Sequence, residues 1–256
     1  MPRGRSTSPV QHLLRENNLL RALRVEDMEL LQPLLTSWEG STGDILYEPG
    51  DNVRHLYFPC GPSLVSFLVL LDDGRAVETA LVGREGAVGG IVSQGRLPAY
   101  ARAEVQFPGP FLRMESAELE KVKLQSLTLR HLFSRYADCL VAQVFQTTAC
   151  NAAHTIEQRT AKWLLAAMDR TGDHQVPLTQ DQLAGMLGVG RSYVSRVIQT
   201  LKARQVIETR RGSMMVRNLD QLSLLSCRCN DLVRRHFDDV LEGVYPSEAS
   251  TESKPQ

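Results

Sequence analysis

The sequence predicts an α+β protein: an N-terminal antiparallel β roll or jelly roll, one long helix, then two short helices trailed by a two-stranded ribbon. Three observations carry this. Short apolar runs punctuated by glycine and proline fill residues 43–113. Residues 111–171 contain neither glycine nor proline. Residues 178–201 repeat apolar side chains at helical spacing around a single turn at Gly188.

Residues 1–8 carry no apolar pattern and are expected to be disordered. Two leucine-rich stretches follow, Leu13-Leu14 to Leu23 and Met28 to Leu35. They predict short helices packed on the next element, with Pro33 limiting the second. From Gly43 to Arg113 the runs Ile45–Tyr47, Leu56–Phe58, Leu64–Leu71 and Val77–Val82 alternate with Pro49-Gly50, Pro59, Asp73-Gly74 and Gly83. Asp-Gly between two such runs signals a hairpin, and short strands at this spacing suggest a roll able to enclose a ligand or simply fill its core.

In the tract without glycine or proline, Leu129, Phe133, Tyr136, Leu140, Val144, Thr148, Ala152 and Ile156 recur at about one-turn spacing. Leu132, Val141, Phe145 and Ala149 widen the stripe. A helix of roughly 28 residues is about 40 Å long. That exceeds what a small roll needs for its own core, so the surplus face is expected to pack on a twofold copy. Glu157–Leu165 begins a new stretch. Leu219–Glu242 reads as one amphipathic helix and Tyr245–Gln256 as a polar, disordered tail. The expected division is 1–24 N-terminal tail and helix, 25–126 sensor roll, 127–156 dimerisation helix, 157–219 paired helices with ribbon, and 220–256 C-terminal helix and tail.

The most informative stretch is LTQDQLAGMLGVGRSYVSRVIQTL, residues 178–201. Thr179 with Gln182 is a T-x-x-Q capping box, so a helix starts at Gln180. Leu183, Met186 and Leu187 make its apolar side, and Ala184 lets a second helix approach. Gly188 ends it, because glycine takes positive φ without steric cost. The second helix buries Val194, Val197, Ile198 and Leu201. Its other face carries Arg191, Ser192, Ser195, Arg196 and Gln199, with Tyr193 at the edge. These donors suit base edges in a DNA major groove. Val206–Arg217 reads as strand, turn and strand, with Arg210-Arg211 at the tip and Gly212 making the reversal. From Gly190 to Arg217 there are seven Lys/Arg against one acidic residue, while the whole chain has 29 of each sign. The positive charge is therefore local, which is what a phosphate backbone requires.

At 256 residues, 43% hydrophobic and 23% charged, the composition is that of a globular chain of one or two domains. It has no run of eighteen apolar residues and no apolar core after Arg3 and Arg5, so neither a membrane span nor a signal peptide is expected, and the expected compartment is the cytoplasm. The five cysteines, Cys60, Cys139, Cys150, Cys227 and Cys229, are odd in number and scattered. Cys227-x-Cys229 lacks a second pair at zinc-finger spacing. Reduced thiols, no metal and no cofactor are expected, and nothing in the sequence supports a redox role. A metal-binding cupin enzyme is the rival reading of the roll. It needs several histidines, and only His55 lies between Gly43 and Arg113. No catalytic residue is expected.

The helix–turn–helix pattern, with its ribbon as a wing, resembles that of bacterial transcription factors. The order of roll, long helix and winged helix-turn-helix resembles the Crp/Fnr family of regulators, over roughly residues 25–219. Arg159-Thr160-Ala161 followed by Leu164-Leu165 is similar to the family's R-[apolar]-A-x-x-L-L helix. Gly190–Arg196 is similar to its S-R-E-T-V-x-R recognition sequence at both arginines. Serine at 192 replaces the glutamate that, in the family, accepts from cytosine, so a different base preference is expected. Gly83–Gly90 resembles the family's phosphate-binding cassette, but Gly90 stands where the glutamate belongs. Ala99–Ala103 resembles its A-x-V-R-A strand, preceded by Leu97-Pro98 instead of Arg-Ser/Thr. The base-contacting pair of the long helix falls on Val144 and Phe145. These three departures argue against cyclic AMP, because a buried phosphate would lack its guanidinium partner. Arg84 and Glu85 are left as weak candidates for another effector. The N-terminal cysteine cluster of the family's oxygen sensors is missing, since no cysteine precedes Cys60.

The resemblance implies a cyclic-nucleotide-binding-like roll and a homodimeric regulator of transcription bound to a pseudo-palindromic operator in double-stranded DNA, in contact with RNA polymerase. Arg191 and Arg196 would read or clamp DNA, tuned by Ser192 and Tyr193. Ser195 and Gln199 would share that face, and Thr179, Gln180, Arg210 and Arg211 would meet phosphates. The alternatives are a scaffold acting through protein contacts alone, or a regulator binding a cyclic nucleotide at a rearranged site.

Overall fold

The computed structural model describes residues 9–91, 96 and 98–242. The expectations for residues 1–8, for Leu97 and for the tail from Tyr245 lie outside them. Three short helices open the chain, α1 (Pro9–Leu13), α2 (Asn18–Arg21) and α3 (Val25–Leu31), with a 3-10 turn at Gln32–Leu34. Seven strands follow: β1 (Thr36–Gly40), β2 (Ile45–Tyr47), β3 (His55–Pro59), β4 (Leu64–Leu70), β5 (Ala76–Val82), β6 (Arg102–Phe107) and β7 (Gly109–Glu115). They form two antiparallel sheets, ordered β1-β7-β3 and β2-β6-β4-β5. Tyr57 and Phe111 of one sheet pack with Tyr47, Val65, Val82 and Val105 of the other, which makes the predicted roll. Asp73-Gly74 turns the β4–β5 hairpin, with Gly74 at φ +82°. β1 has no counterpart among the predicted runs. It is mostly solvent-facing and lacks the alternation that marks a half-buried strand, yet it pairs along its whole length with β7.

The tract free of glycine and proline is not one helix. Residues 111–115 belong to β7. The rest divides into α4 (Ser116–Gln125), α5 (Leu127–Ala153) and α6 (Ile156–Thr171). The punctuation comes from hydroxyl caps instead. Ser126 is extended and its side chain accepts from Leu129 N, while Thr155 forms a capping box with Gln158. Likewise residues 219–242 are two helices, α9 (Leu219–Leu225) and α10 (Cys229–Glu242). Ser226 between them is extended, and its hydroxyl donates to Cys227 O at 2.8 Å. Helix α10 returns to α5, where Phe237 meets Tyr136 edge-on with ring centroids 6.2 Å apart.

The apolar stripe of α5 has two fates. Leu129, Leu132, Phe133, Tyr136 and Cys139 are buried with the amino-terminal helices, the outer face of β3 and β7, and α10. Farther along, Val141, Val144 and Phe145 stay 49%, 39% and 70% exposed. The remaining elements are β8 (Gln175–Val176), α7 (Gln180–Leu187), α8 (Arg191–Ala203), β9 (Ile207–Arg210) and β10 (Ser213–Val216). Their core is continuous with the roll through Leu64, Leu81 and Phe107, and Phe107 packs edge-on against Trp163. Among the described residues, no helix is long and apolar enough to cross a membrane.

Glu78 of β5 sits at this junction. Its carboxylate accepts from Ser66 Oγ at 2.6 Å and from Trp163 Nε1 at 2.8 Å. Burial raises its pKa above the ordinary 4.5, against the lowering by those two bonds and by Lys162 and Arg170. Folding therefore favours the protonated acid. Stability from this group is complete below about pH 4.5 and is lost as pH rises through the folded-state value. Glu78→Gln keeps an acceptor for Trp163 without the charge. Thermal unfolding should show the variant more stable than the wild type near pH 8, with the gap closing toward pH 4.5. A gap that does not change with pH would refute the account.

Candidate nucleic-acid interface

The surface is built from the turn outward. Thr179 caps α7: its side chain accepts from Gln182 N at 3.2 Å, and the Gln182 side chain accepts from Thr179 N at 2.9 Å. Gly188 closes the helix at φ +66°, and its N–H reaches Ala184 O and Gly185 O. Arg159 of α6, nearly fully buried, donates from Nη2 to Leu187 O at 2.6 Å. A guanidinium there meets the last carbonyls of α7 and the negative end of its dipole. Sequence reasoning found Arg159 only through the family pattern, and this bond shows its structural use. Val194, Ile198 and Leu201 anchor α8 beneath, with Val197 partly buried.

Arg191, Ser192, Tyr193, Arg196 and Gln199 are exposed on the outer side of α8, and Ser195 is half-buried. Tyr193 and Arg196 are coupled: the guanidinium carbon lies 4.7 Å from the ring centroid. The ring restrains the Arg196 guanidinium on that face of the helix. Arg191 pairs with Asp181 of α7 at 3.2 Å, both well exposed. Ser195 donates to Gln180 Oε1 at 2.8 Å and is thereby engaged in joining the two helices. Thr179 is committed to its cap. The wing follows as drawn from the sequence, β9 and β10 paired from Ser213↔Arg210 to Val216↔Ile207, with Gly212 at φ +74° and Arg210 and Arg211 exposed. The two-residue strand β8, which the sequence did not signal, extends this sheet along β10. Arg217 is tied to Glu208 at 2.6 Å. Among the described residues, Arg196, Lys202, Arg210 and Arg211 have no carboxylate within salt-bridge distance, so their charge faces solvent.

Arg84 and Glu85 lie elsewhere, against the end of α6. Glu85 accepts from Gly83 N at 3.2 Å and pairs with Arg170 Nε at 2.9 Å. Arg84 Nη2 donates to Asp169 O at 3.3 Å. Beside them Tyr136 fills the cassette: its hydroxyl donates to Ala87 O and accepts from Ala87 N, each at 2.9 Å. A Cβ on Gly86 would come 2.0 Å from that oxygen. Three of the cysteines, one of them distant in sequence from the other two, come together. Cys150, Cys227 and Cys229 converge with His154, all five cysteines being free thiols.

With this geometry in place, residues 158–225 match the model of the Crp-like helix-turn-helix domain. This segment is a Crp-like helix-turn-helix domain. No curated protein sequence matches the chain. Among solved structures it is similar to FixK2 from Bradyrhizobium japonicum, with 18% identity, 75% of this chain and 98% of that one covered, and a TM-score of 0.63. TTHB099, a Crp-family transcriptional regulator from Thermus thermophilus, aligns with 21% identity over 73% of this chain and 95% of its own, TM-score 0.61. The c-di-GMP responsive global regulator CLP of Xanthomonas campestris aligns with 16% identity over 75% and 99%, TM-score 0.60. The chain thus has the fold of the Crp/Fnr transcription regulators, with β roll, long helix and Crp-like domain in that order. The match ends with α9, so α10 lies beyond it.

Two glycines test the turn of the Crp-like domain. Gly188 has positive φ and Val77 of the roll 3.4 Å from where a Cβ would be, so Gly188→Ala should cost roughly 1–2 kcal/mol. Gly185 is helical and would place a Cβ in open space, so Gly185→Ala should stabilise by about 0.5–1 kcal/mol. Denaturant melts measure both. Equal effects would contradict the left-handed turn.

Proposed function

We propose that the chain is a homodimeric, sequence-specific DNA-binding transcription regulator acting in the cytoplasm on a pseudo-palindromic operator and contacting RNA polymerase. The observation that carries this is the outer face of α8, an unpaired Arg196 braced on Tyr193 beside Arg191, Ser192 and Gln199. A capped turn presents that face, and a cationic wing tip flanks it. In this reading Arg191 and Arg196 meet base edges or flanking phosphates. Arg210 and Arg211, with Thr179 and Gln180 at the start of α7, lie along the backbone. No catalytic step is implied.

The exposed end of α5 supports the dimer. Val141, Val144 and Phe145 stand at helical spacing with Thr148 and Ala152 in line. With Phe67, Val69 and Tyr100 of the roll, the first three border an apolar groove of about 520 Å³. Pairing two such faces would bury them and set two α8 helices on one side of the assembly. For the effector, the residues present do not fit a cyclic phosphate. Glu85 is committed to Arg170, Arg102 is held by Glu48 at 2.8 Å and Glu104 at 3.8 Å, and Tyr136 occupies the cassette. This reading therefore assigns no cyclic nucleotide.

Arg196→Ala should cost about 1–3 kcal/mol in operator affinity and relax base preference, as read by a gel-shift series over operator variants. Arg211→Ala should weaken all sequences alike and lower the salt slope of log K by about one unit. Wild-type affinity in both variants would mean that the wrong face has been assigned, as in a scaffold that acts through protein contacts alone. Phe145→Glu should shift the protein from dimer to monomer in light scattering. A variant that remains dimeric would exclude this face as the interface.

A further inference from the structure

Four side chains far apart in sequence meet at the joint between α5 and α6. Cys150 lies in the last turn of α5 and His154 is its C-cap. Cys227 sits in the break between α9 and α10, and Cys229 begins α10. Three Sγ atoms and one imidazole nitrogen all lie within 4.8 Å of one another. Cys150 Sγ is 3.6 Å from Cys227 Sγ, and Cys229 Sγ is 3.6 Å from His154 Nδ1. Tetrahedral zinc, with Zn–S of about 2.3 Å and Zn–N of about 2.0–2.1 Å, sets its ligands about 3.6–3.8 Å apart. Two of the six ligand pairs already have that spacing, and all six lie within 4.8 Å.

Neither a disulfide nor an iron–sulfur centre suits these four groups as well. A disulfide would need one pair of sulfurs about 2.05 Å apart and would leave the third thiol and the imidazole without a role. An iron–sulfur cluster is several atoms wide and spreads its thiolates farther than this group allows. Three thiolates with one imidazole are a ligand set that zinc takes in closed structural sites. The surroundings suit it too. Gln146 Nε2 donates to Cys229 Sγ at 3.1 Å, the kind of outer bond that orients a metal thiolate. Zinc with three thiolates carries one net negative charge. Arg159, 8% exposed and with a buried Nε that has no hydrogen-bond partner, lies close enough to Cys150 and Cys227 to interact with them electrostatically.

We propose that Cys150, His154, Cys227 and Cys229 form a Cys3His zinc site that staples the α9–α10 break to the α5–α6 joint. Binding one Zn²⁺ releases the three thiol protons to solvent and involves no change of oxidation state. The site would fix the angle at which α6, and with it the helix-turn-helix, leaves the long helix. It rests on the ligand geometry and stands whether or not the α8 face binds DNA.

The test uses the full chain, reduced and stripped of metal by a chelator, then titrated with cobalt(II). One cobalt per chain is expected, with the thiolate charge-transfer and intense visible bands of a tetrahedral site, both abolished by added zinc. Cys227→Ser and Cys229→Ser should each weaken binding by at least about 100-fold, beyond the effect of losing an outer-shell group. Cys60→Ser and Cys139→Ser should leave it unchanged. His154→Cys should keep one cobalt per chain and strengthen the charge-transfer band, which a variant that merely misfolds would not do. Protein that takes up no stoichiometric metal, gives the weak spectrum of six-coordinate cobalt, or loses binding equally in Cys139→Ser overturns the proposal.

Discussion

Arg170 ties the molecule together. It lies near the end of α6, almost fully buried, and reaches three parts of the chain at once. Nε pairs with Glu85 at 2.9 Å and donates to Leu81 O at 3.0 Å in the roll. Nη1 reaches Ala166 O at 3.2 Å in its own helix and Asn230 Oδ1 at 3.3 Å in α10. A buried guanidinium is costly unless its charge is paired, and removing one partner leaves an uncompensated charge. The arrangement therefore permits few alternative registers. Gly83 sharpens the constraint: a Cβ there would lie 2.7 Å from Arg170 Cβ and 2.9 Å from its carbonyl oxygen. Only glycine lets the cassette close on α6.

From that anchor the geometry propagates outward through rigid parts. Helix α6 runs from Arg170 back to Arg159, which holds the carbonyl end of α7. Gly188 turns the chain, and Val194, Ile198 and Leu201 seat α8 on the same core. Trp163 and Glu78 make a second tie to the β4–β5 hairpin. On the other side, α10 binds α5 to the same assembly through Tyr136 and Phe237. The exposed cationic face and the exposed apolar end of α5 are thus parts of one framework, so their separation is set by the fold.

The parts legible in the sequence were those written locally. A capping box, a glycine at positive φ and a short apolar period define the helix-turn-helix within about two dozen residues, and the wing follows from Gly212. The long helix could be read from its stripe, but not the hydroxyl caps that bound it. Ser126 and Thr155 stop and restart helices as effectively as proline, and a search for glycine and proline passes over them. β1 was hidden because its partner, not its own pattern, makes it a strand. Arg84 and Glu85 drew notice as polar residues in a cassette, whereas their partners on α6 lie some 85 residues away. The thiol cluster was hidden for the same reason. Cys227-x-Cys229 was visible, but Cys150 is 77 residues from Cys227, and only the return of the chain past α5 brings them together.

The proposed function requires the framework to offer two copies of the α8 face to one duplex at a fixed separation. Selection of bound sequences from a random DNA pool, with the stoichiometry of the winning complex measured by light scattering, tests it most directly. The account predicts an inverted repeat whose half-sites are centred about one helical turn, roughly 10 base pairs, apart, carrying two chains per duplex. A single asymmetric site bound by one chain, or a pool with no enriched sequence, would contradict it.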